Sequence, residues 1–310
     1  MKAITYREYG SPEVLGLTEV DDPKIGPDWV AIDVRASSVN PVDWKIASGG
    51  LDAMLDTVFP VVPGWDVAGV VTQVGPAVTG LAVGDEVYGY LRKDAVHLGT
   101  YAEKVGAPQR CVTRKPANAT FEEAAAIPLA GLTALQCLDA LGVRAEDTLL
   151  VHAAAGGVGM FAVQIAKARG ARVLGTASQD NHAFVRSLGA EPVAYGEGMT
   201  ERVRALSPTG VSAVLDTQGG DTLTESVALL ADGSTGRVVS VADPEVASHG
   251  GRYVFVRPDV ADLTTLAELV DAGDLRVEIA ETFPLAETAR AWERSMEGHV
   301  RGKLVITVGR

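Results

Sequence analysis

The stretch from Thr148 to Gly175, TLLVHAAAGGVGMFAVQIAKARGARVLG, constrains the fold more than any other part of this chain. Residues 149–151 form an apolar run long enough for a buried strand. The turn Ala154-Ala155-Gly156-Gly157-Val158-Gly159 follows. Apolar residues at 158, 161, 162, 165 and 166 then mark one face of a helix. Lys167 and Arg169 fall in its last turn, Gly170 ends it, and residues 172–175 read as a second strand. A strand, a glycine-rich turn, a helix and a strand in this order form a dinucleotide-binding unit. The pyrophosphate lies on backbone N–H groups at the helix start, so Ala155, Gly156, Gly157 and Val158 are the expected contacts. Gly156 lets the backbone approach the phosphates, and Gly159 lets the helix pack close to the strand. Ala154 stands where such turns carry their first glycine, which is tolerable if φ there stays negative.

The rest of the chain is compatible with such a unit. A length of 310 residues favours two domains. The apolar fraction of 47% and charged fraction of 22% are those of an ordinary packed protein. A formal charge of −13 argues against nucleic acid and anionic membranes as partners. Cys111 and Cys137 are the only cysteines, which excludes a disulfide framework or zinc ribbon and fits a reduced, cytoplasmic setting. The opening MKAITYREYG lacks the apolar core of a signal peptide. The most apolar stretch, residues 124–135, is broken by Pro128, Gly131 and Thr133, so no membrane span is expected.

Residues 1–117 read as β-rich, with strands expected at 2–6, 29–38, 67–74, 86–90 and 101–105, separated by Gly, Pro and Asp turns. Many short strands with few helical patterns suggest a small barrel. A helix is expected at 122–127, interrupted by Pro128 and Gly131 and resumed over 133–141. After residue 148, apolar strands (192–195, 211–216, 236–241, 252–256) alternate with helices (183–188, 199–206, 222–230, 263–272). This alternation predicts an α/β fold with a doubly wound parallel sheet. A strand at 278–283, a helix at 285–298 and a strand at 303–308 close the chain. The domains are therefore expected at 1–117, 118–273 and 274–310, the last returning to the first.

Several blocks stand in order along almost the whole chain: Asn40-Pro41-Val42-Asp43-Trp44-Lys45, Pro63-Gly64-Trp65-Asp66-Val67-Ala68-Gly69 and Val83-Gly84-Asp85-Glu86-Val87. Gly99-Thr100-Tyr101-Ala102-Glu103, Leu129-Ala130-Gly131-Leu132-Thr133-Ala134, the AAGGVG turn and Gly302-Lys303-Leu304-Val305 complete the set. With them the chain resembles the medium-chain dehydrogenase/reductase superfamily, and most of all its zinc-free quinone oxidoreductase branch. The resemblance implies a GroES-like β-barrel catalytic domain joined to a Rossmann domain, with the cofactor in the cleft between them. It implies hydride transfer from a nicotinamide, and often a homodimer paired through the sheet edge at residues 252–256.

Metal-dependent relatives carry a cysteine where Asn40 stands and a histidine where Trp65 stands. A catalytic zinc needs three good ligands with an open position, and Asp66 alone does not make a site. No metal is therefore expected. Without a Lewis acid, reduction of an activated C=C bond or a quinone asks less of the protein than alkoxide chemistry. An NAD site places Asp or Glu about 20 residues beyond the glycine turn. Here Ala177 occupies that position and Ser178 follows, so NADPH is the expected cofactor. By resemblance, Tyr195 sits where relatives contact the 2′-phosphate, and His182 lies near a position they fill with a cation. Asp180 complicates this loop, which has no Lys or Arg from 179 to 182.

Asn40 resembles the family's cleft asparagine, contacting substrate or the nicotinamide ribose, with an Asx turn before Pro41 as the alternative. Thr133 is a candidate contact to nicotinamide or phosphate, or a helix-interior packing residue. Val241, Ala242, Phe255 and Val256 follow strands whose carboxyl ends face the ligand in open α/β sheets. Trp44 and Trp65 are candidate walls of the substrate pocket, and Asp43 and Lys45 read as a solvated pair. The sequence thus implies a zinc-independent NADPH-dependent reductase of quinones or α,β-unsaturated carbonyls. An enoyl reductase acting on a carrier- or CoA-bound thioester, and an NADPH-binding redox sensor without turnover, remain alternatives.

Overall fold

The computed structural model describes residues 1–309. The chain divides into two compact units: Met1–Leu132 with Arg257–Gly273 and the described residues from Val277 onward, and Thr133–Val256 with Asp274–Arg276. Boundaries expected at 117/118 and 273/274 thus fall beside observed ones at 132/133, 256/257 and 276/277.

The first unit begins with strands β1 (Lys2–Thr5), β2 (Gly16–Glu19) and β3 (Trp29–Val39), then helix α1 (Pro41–Ala47). Strands β4 (Thr57–Val62), β5 (Asp66–Val74), β6 (Glu86–Tyr90), β7 (Val96–Leu98), β8 (Lys104–Pro108) and β9 (Val112–Arg114) follow. β2, β4 and β7 escape the sequence pattern because β7 has three residues and β4 carries Pro60. Helices α2 (Phe121–Ala126) and α3 (Pro128–Leu141) come next. Thr120 caps α2 in a capping box: its hydroxyl accepts Glu123 N (3.2 Å), and Glu123 accepts Thr120 N (2.8 Å). Gly131 does not interrupt α3. A Cβ there would lie 3.0 Å from Leu266 Cδ1, so glycine is what lets Leu266 approach the helix.

The second unit contains β10 (Thr148–Val151), α4 (Gly157–Ala168), β11 (Arg172–Ala177), α5 (His182–Ser187), β12 (Glu191–Ala194) and α6 (Met199–Leu206). β13 (Ala213–Asp216), α7 (Asp221–Val227), β14 (Val238–Ser240) and β15 (Arg252–Tyr253) complete it. All pairings are parallel, and the strand order of the six-stranded sheet is β12-β11-β10-β13-β14-β15. Numbered within this unit, that is the 3-2-1-4-5-6 order of a Rossmann sheet. Leu149, Leu150, Val214 and Leu215 have no exposed surface. Full burial of each such side chain is worth about 1.5–3 kcal/mol.

The chain then supplies α8 (Val260–Ala272), β16 (Ile279–Pro284), α9 (Thr288–Met296) and β17 (Lys303–Thr307) to the first unit. Asp259 caps α8 by accepting Ala261 N (3.0 Å) and Asp262 N (3.2 Å). The Tyr88 hydroxyl donates to Leu263 O at 2.5 Å, and Asp271 accepts Asn118 N at 2.9 Å. These bonds are why residues 257–273 belong to the barrel unit rather than to the domain the sequence assigned. β17 pairs antiparallel with β3 and parallel with β16, within the sheet β16-β17-β3-β5-β6-β9. Among the described residues no helix is long and apolar enough to cross a membrane.

Candidate functional site

In the second unit the glycine turn has a side-chain-free mouth. Gly156 is the N-cap of α4, and no side chain caps the helix. Its first-turn N–H groups have no helical carbonyl to meet, and the helix dipole favours an anion there. The two flanking glycines differ in kind. A Cβ on Gly159 would lie 2.2 Å from Ala153 O and 2.7 Å from Ala154 Cα. A Cβ on Gly156 would meet only Ala153 O, at 3.3 Å. Gly159 is thus required by the turn's own backbone, whereas a Cβ on Gly156 meets nothing but Ala153 O. The left-handed residue is Ala153 (φ 47°), not Ala154, so the turn does place a side chain at a position favouring glycine.

The turn is tied down from below. Ala153 N donates to Thr176 Oγ1 (3.1 Å), and Ala154 N to Thr176 O (2.9 Å). The buried His152 ring bonds Thr176 Oγ1 (3.2 Å) and Ser226 Oγ (2.6 Å). Burial pushes the His152 pKa down to about 4, which keeps the ring neutral.

The sheet register brings several expected contacts to neighbouring strand ends. β11 and β12 end opposite each other at Ala177 and Ala194. Ser178 and Tyr195 therefore follow side by side on the carboxyl edge. Ser178 Oγ accepts Asn181 Nδ2 (3.1 Å), while Tyr195 is 53% exposed. Arg202 holds the Tyr195 loop, donating to Ala194 O (3.0 Å) and Glu197 O (2.8 Å). His182 opens α5, and its Nε2 is buried without a hydrogen-bond partner. Val241 and Ala242 follow β14. Their loop is fixed by Ser240 Oγ, which accepts Ala242 N (3.1 Å) and donates to Asp216 Oδ2 (2.6 Å). Phe255 and Val256 follow β15, which ends at Tyr253, earlier than the sequence pattern suggested. Thr133 is buried in α3, away from these strand ends in sequence.

The first unit holds a different kind of site. Asn40 is 2% exposed, and both ends of its amide are engaged inside the protein. Its Nδ2 donates to Asp66 Oδ2 (2.8 Å), and its Oδ1 accepts from Lys303 Nζ (2.6 Å). Asp66 Oδ2 also accepts Ser38 Oγ (2.6 Å), and Asp66 Oδ1 accepts the first-turn amide of Leu129 in α3 (2.8 Å). Lys303 Nζ donates to Val39 O (3.0 Å) as well. Asn40 is therefore the hub of a buried charge network.

Asp43 is 3% exposed, so it is not half of a solvated pair with Lys45. Its Oδ2 accepts Asn40 N (2.8 Å) and Tyr101 OH (2.8 Å). Burial raises the Asp43 pKa to about 7, and the neighbouring Asp66 charge adds to that rise. Burial likewise raises Asp66 and lowers Lys303, each opposed by the other's charge.

Trp65 is buried edge-on against Tyr90 (centroids 5.9 Å) and lines a narrow pocket with Asp43, Leu91 and His97. Trp44 does not line that pocket. Its Nε1 donates to Ser295 Oγ (3.2 Å), and its ring lies beside Lys45 Nζ (5.6 Å). Sequence reasoning missed Asp43, Tyr101 and Lys303 as a group. The one available signal was a lysine opening the apolar strand KLVIT.

An alcohol dehydrogenase GroES-like domain family model matches residues 26–133, and a zinc-binding dehydrogenase model matches residues 188–306. Among the described residues no three His, Cys, Asp or Glu side chains group as a metal site. The chain is 34% identical over 330 residues to the chloroplast envelope quinone oxidoreductase homolog of Arabidopsis thaliana, covering 99% of this chain and 98% of that protein. It is 36% identical over 317 residues to the Arabidopsis NADPH-dependent alkenal/one oxidoreductase, covering 99% of this chain and 79% of that one. The solved structure of the quinone oxidoreductase from Coxiella burnetii superposes with a TM-score of 0.89 at 35% identity, covering 100% of this chain and 99% of that one.

Proposed function

Because the chain belongs to the medium-chain dehydrogenase/reductase superfamily, in its quinone oxidoreductase-like branch, we propose that it is an NADPH-dependent reductase of quinones or α,β-unsaturated carbonyls. The relatives named for quinone and alkenal/one oxidoreduction support the reaction class. The observation that carries the choice of cofactor is the edge beside the glycine turn. Ala177 ends β11 where an acidic residue would bind a ribose diol, and Ser178 and Tyr195 follow the registered ends of β11 and β12. Nothing anionic at position 177 opposes a 2′-phosphate there.

The turn fits a dinucleotide. Gly156 caps α4 without a side chain; its own N–H donates to Ala153 O (2.9 Å), and the first-turn amides of Gly157 and Val158 are the ones offered to pyrophosphate oxygens. Ser178 and Tyr195 offer hydroxyls to the 2′-phosphate, and His182 is the one imidazole in that loop. Arg202 keeps the Tyr195 loop in place. When bound, the reduced nicotinamide supplies the hydride. The protein's share is to orient it, exclude water and provide a proton. Asn40, Asp66 and Lys303 support the barrel side without a Lewis acid in that role.

A second copy pairing through the open edge strand β15 is the assembly this reading favours, and light scattering tests it. The two buried free thiols, Cys111 and Cys137, support a reduced cytoplasmic setting. The functional test is steady-state oxidation of NADPH and NADH with a panel of quinones and enones. NADPH is expected to give the higher kcat/KM. A higher value with NADH sinks the cofactor choice, and tight NADPH binding with no acceptor turned over favours the redox-sensor alternative.

A further inference from the structure

The barrel unit buries two carboxyls, Asp43 and Asp66, around one ammonium, Lys303. With all three ionised the cluster would carry a net negative charge away from water, which is costly. One retained proton removes that charge. Asp66 is the poorer holder, because Ser38, Asn40 and the Leu129 amide all donate to it. Asp43 has donors on Oδ2 only, from Asn40 N and Tyr101 OH. Its side chain lines a narrow pocket together with Trp65, Leu91, Lys93, Val96 and His97. The pocket offers about 10 Å3 to the centre of a water-sized sphere, room for about one water molecule. Asp43 Oδ1 accepts from no protein donor.

We propose that Asp43 is the proton-relay residue of this enzyme: its carboxylic acid gives up the proton that the reduced acceptor takes, and it is recharged from solvent through this pocket. The inference rests on the reductase reading above. Once hydride has formed the β C–H bond of an enone, the π pair resides on the carbonyl oxygen as an enolate. A proton crosses the pocket's water from Asp43 Oδ1 to the α carbon, the Asp43 O–H bond breaks, and carboxylate remains. A bulk proton then restores the acid. With a quinone the proton goes to oxygen. Trp65, which the sequence assigns to the acceptor pocket, lines the same cavity as Asp43. The buried acid supplies this proton without a metal.

The charged and titratable groups facing Asp43 are Asp66, Lys303, Tyr101, Tyr6 and Tyr90, with Lys93 and His97 across the pocket. Asp43→Asn preserves the acceptor atom for Asn40 N and Tyr101 OH, so it keeps the fold while removing the exchangeable proton. Its kcat is expected to fall about 10²-fold. The wild-type basic limb, in which kcat falls as pH rises through about 7, is expected to vanish. Tyr101→Phe removes a donor that favours the carboxylate, so it should move that limb to higher pH. A limb that persists in Asp43→Asn belongs to another group and overturns the proposal, as does a kcat within about twofold of wild type.

A readout independent of turnover is difference infrared spectroscopy of the protein alone between acid and alkaline pH. A protonated-carboxyl band lost near neutrality in wild type and missing from Asp43→Asn is the expected result. If wild type lacks that band, the proposal fails. If the band is present and no acceptor is reduced, the proton store stands but the delivery of its proton to an acceptor fails together with the reductase reading.

Discussion

The glycine turn of one unit and the Asn40–Asp66–Lys303 network of the other solve opposite problems. The turn spans a few consecutive residues and works by leaving side chains out. Gly159 is pressed against Ala153 O, and Gly156 caps α4 with nothing. The network joins residues 38, 40, 43, 66, 101 and 303, and works by filling space with charge that is neutralised locally. A site made of backbone depends on local sterics. A site made of buried charge depends on every partner arriving from elsewhere in the chain.

The sharpest way to break the comparison is Lys303→Met. Removing the ammonium leaves Asp43 and Asp66 without a counter-charge, and breaking such a buried arrangement costs about 3–5 kcal/mol. Urea unfolding should show that loss, and a change below about 1 kcal/mol would mean that the charges are not coupled.

Next in size is a contrast within the turn itself. Gly159→Ala forces backbone apart and is expected to cost about 2–3 kcal/mol of stability. Gly156→Ala should leave stability within about 0.5 kcal/mol, because its methyl group meets the protein only at Ala153 O (3.3 Å), yet weaken NADPH binding at least about tenfold by calorimetric titration. Equal stability losses in the two variants would erase the distinction drawn between these glycines.

Asp43 adds a dependence on pH that the turn lacks. Its folded pKa of about 7 lies above that of an unfolded aspartate, so the native state binds this proton more tightly. The corresponding stability is fully present below about pH 4 and is lost as pH rises through about 7. The loss is on the order of 2 kcal/mol, since Asp66 and Lys303 share the shift. The difference in unfolding free energy between Asp43→Asn and wild type should therefore grow in the variant's favour across that window. A constant difference would show that Asp43 ionises normally.

The smallest effect sharpens the turn. Ala153 holds φ 47°, where glycine has no steric penalty, so Ala153→Gly should stabilise by up to about 1 kcal/mol, less what glycine adds to the freedom of the unfolded chain. Thermal unfolding reads this directly, and a lower Tm would place the conformational cost elsewhere.

The strand–turn–helix unit was legible because its determinants are adjacent. Apolar runs mark β10 and β11, the helical period marks α4, and Gly170 at φ 85° ends it. The missing acid at Ala177 was equally local. What the sequence misassigned was what depends on partners distant in the chain. Asp43 looked solvated beside Lys45, yet Tyr101 and Asn40 enclose it. Residues 257–273 looked like the end of the nucleotide domain, yet Tyr88 and Asn118 bind them to the barrel unit.

Sequence alone thus determined the two-part architecture and the glycine turn between β10 and α4, because periodicity, glycine spacing and residue identity are properties of neighbours. Only the tertiary structure decided that Asn40 spends both ends of its amide on Asp66 and Lys303, and that Asp43 is buried. Burial and counter-charge are set by which strands pair, and the pairing of β17 with β3 brings Lys303 to Asn40 from the far end of the chain.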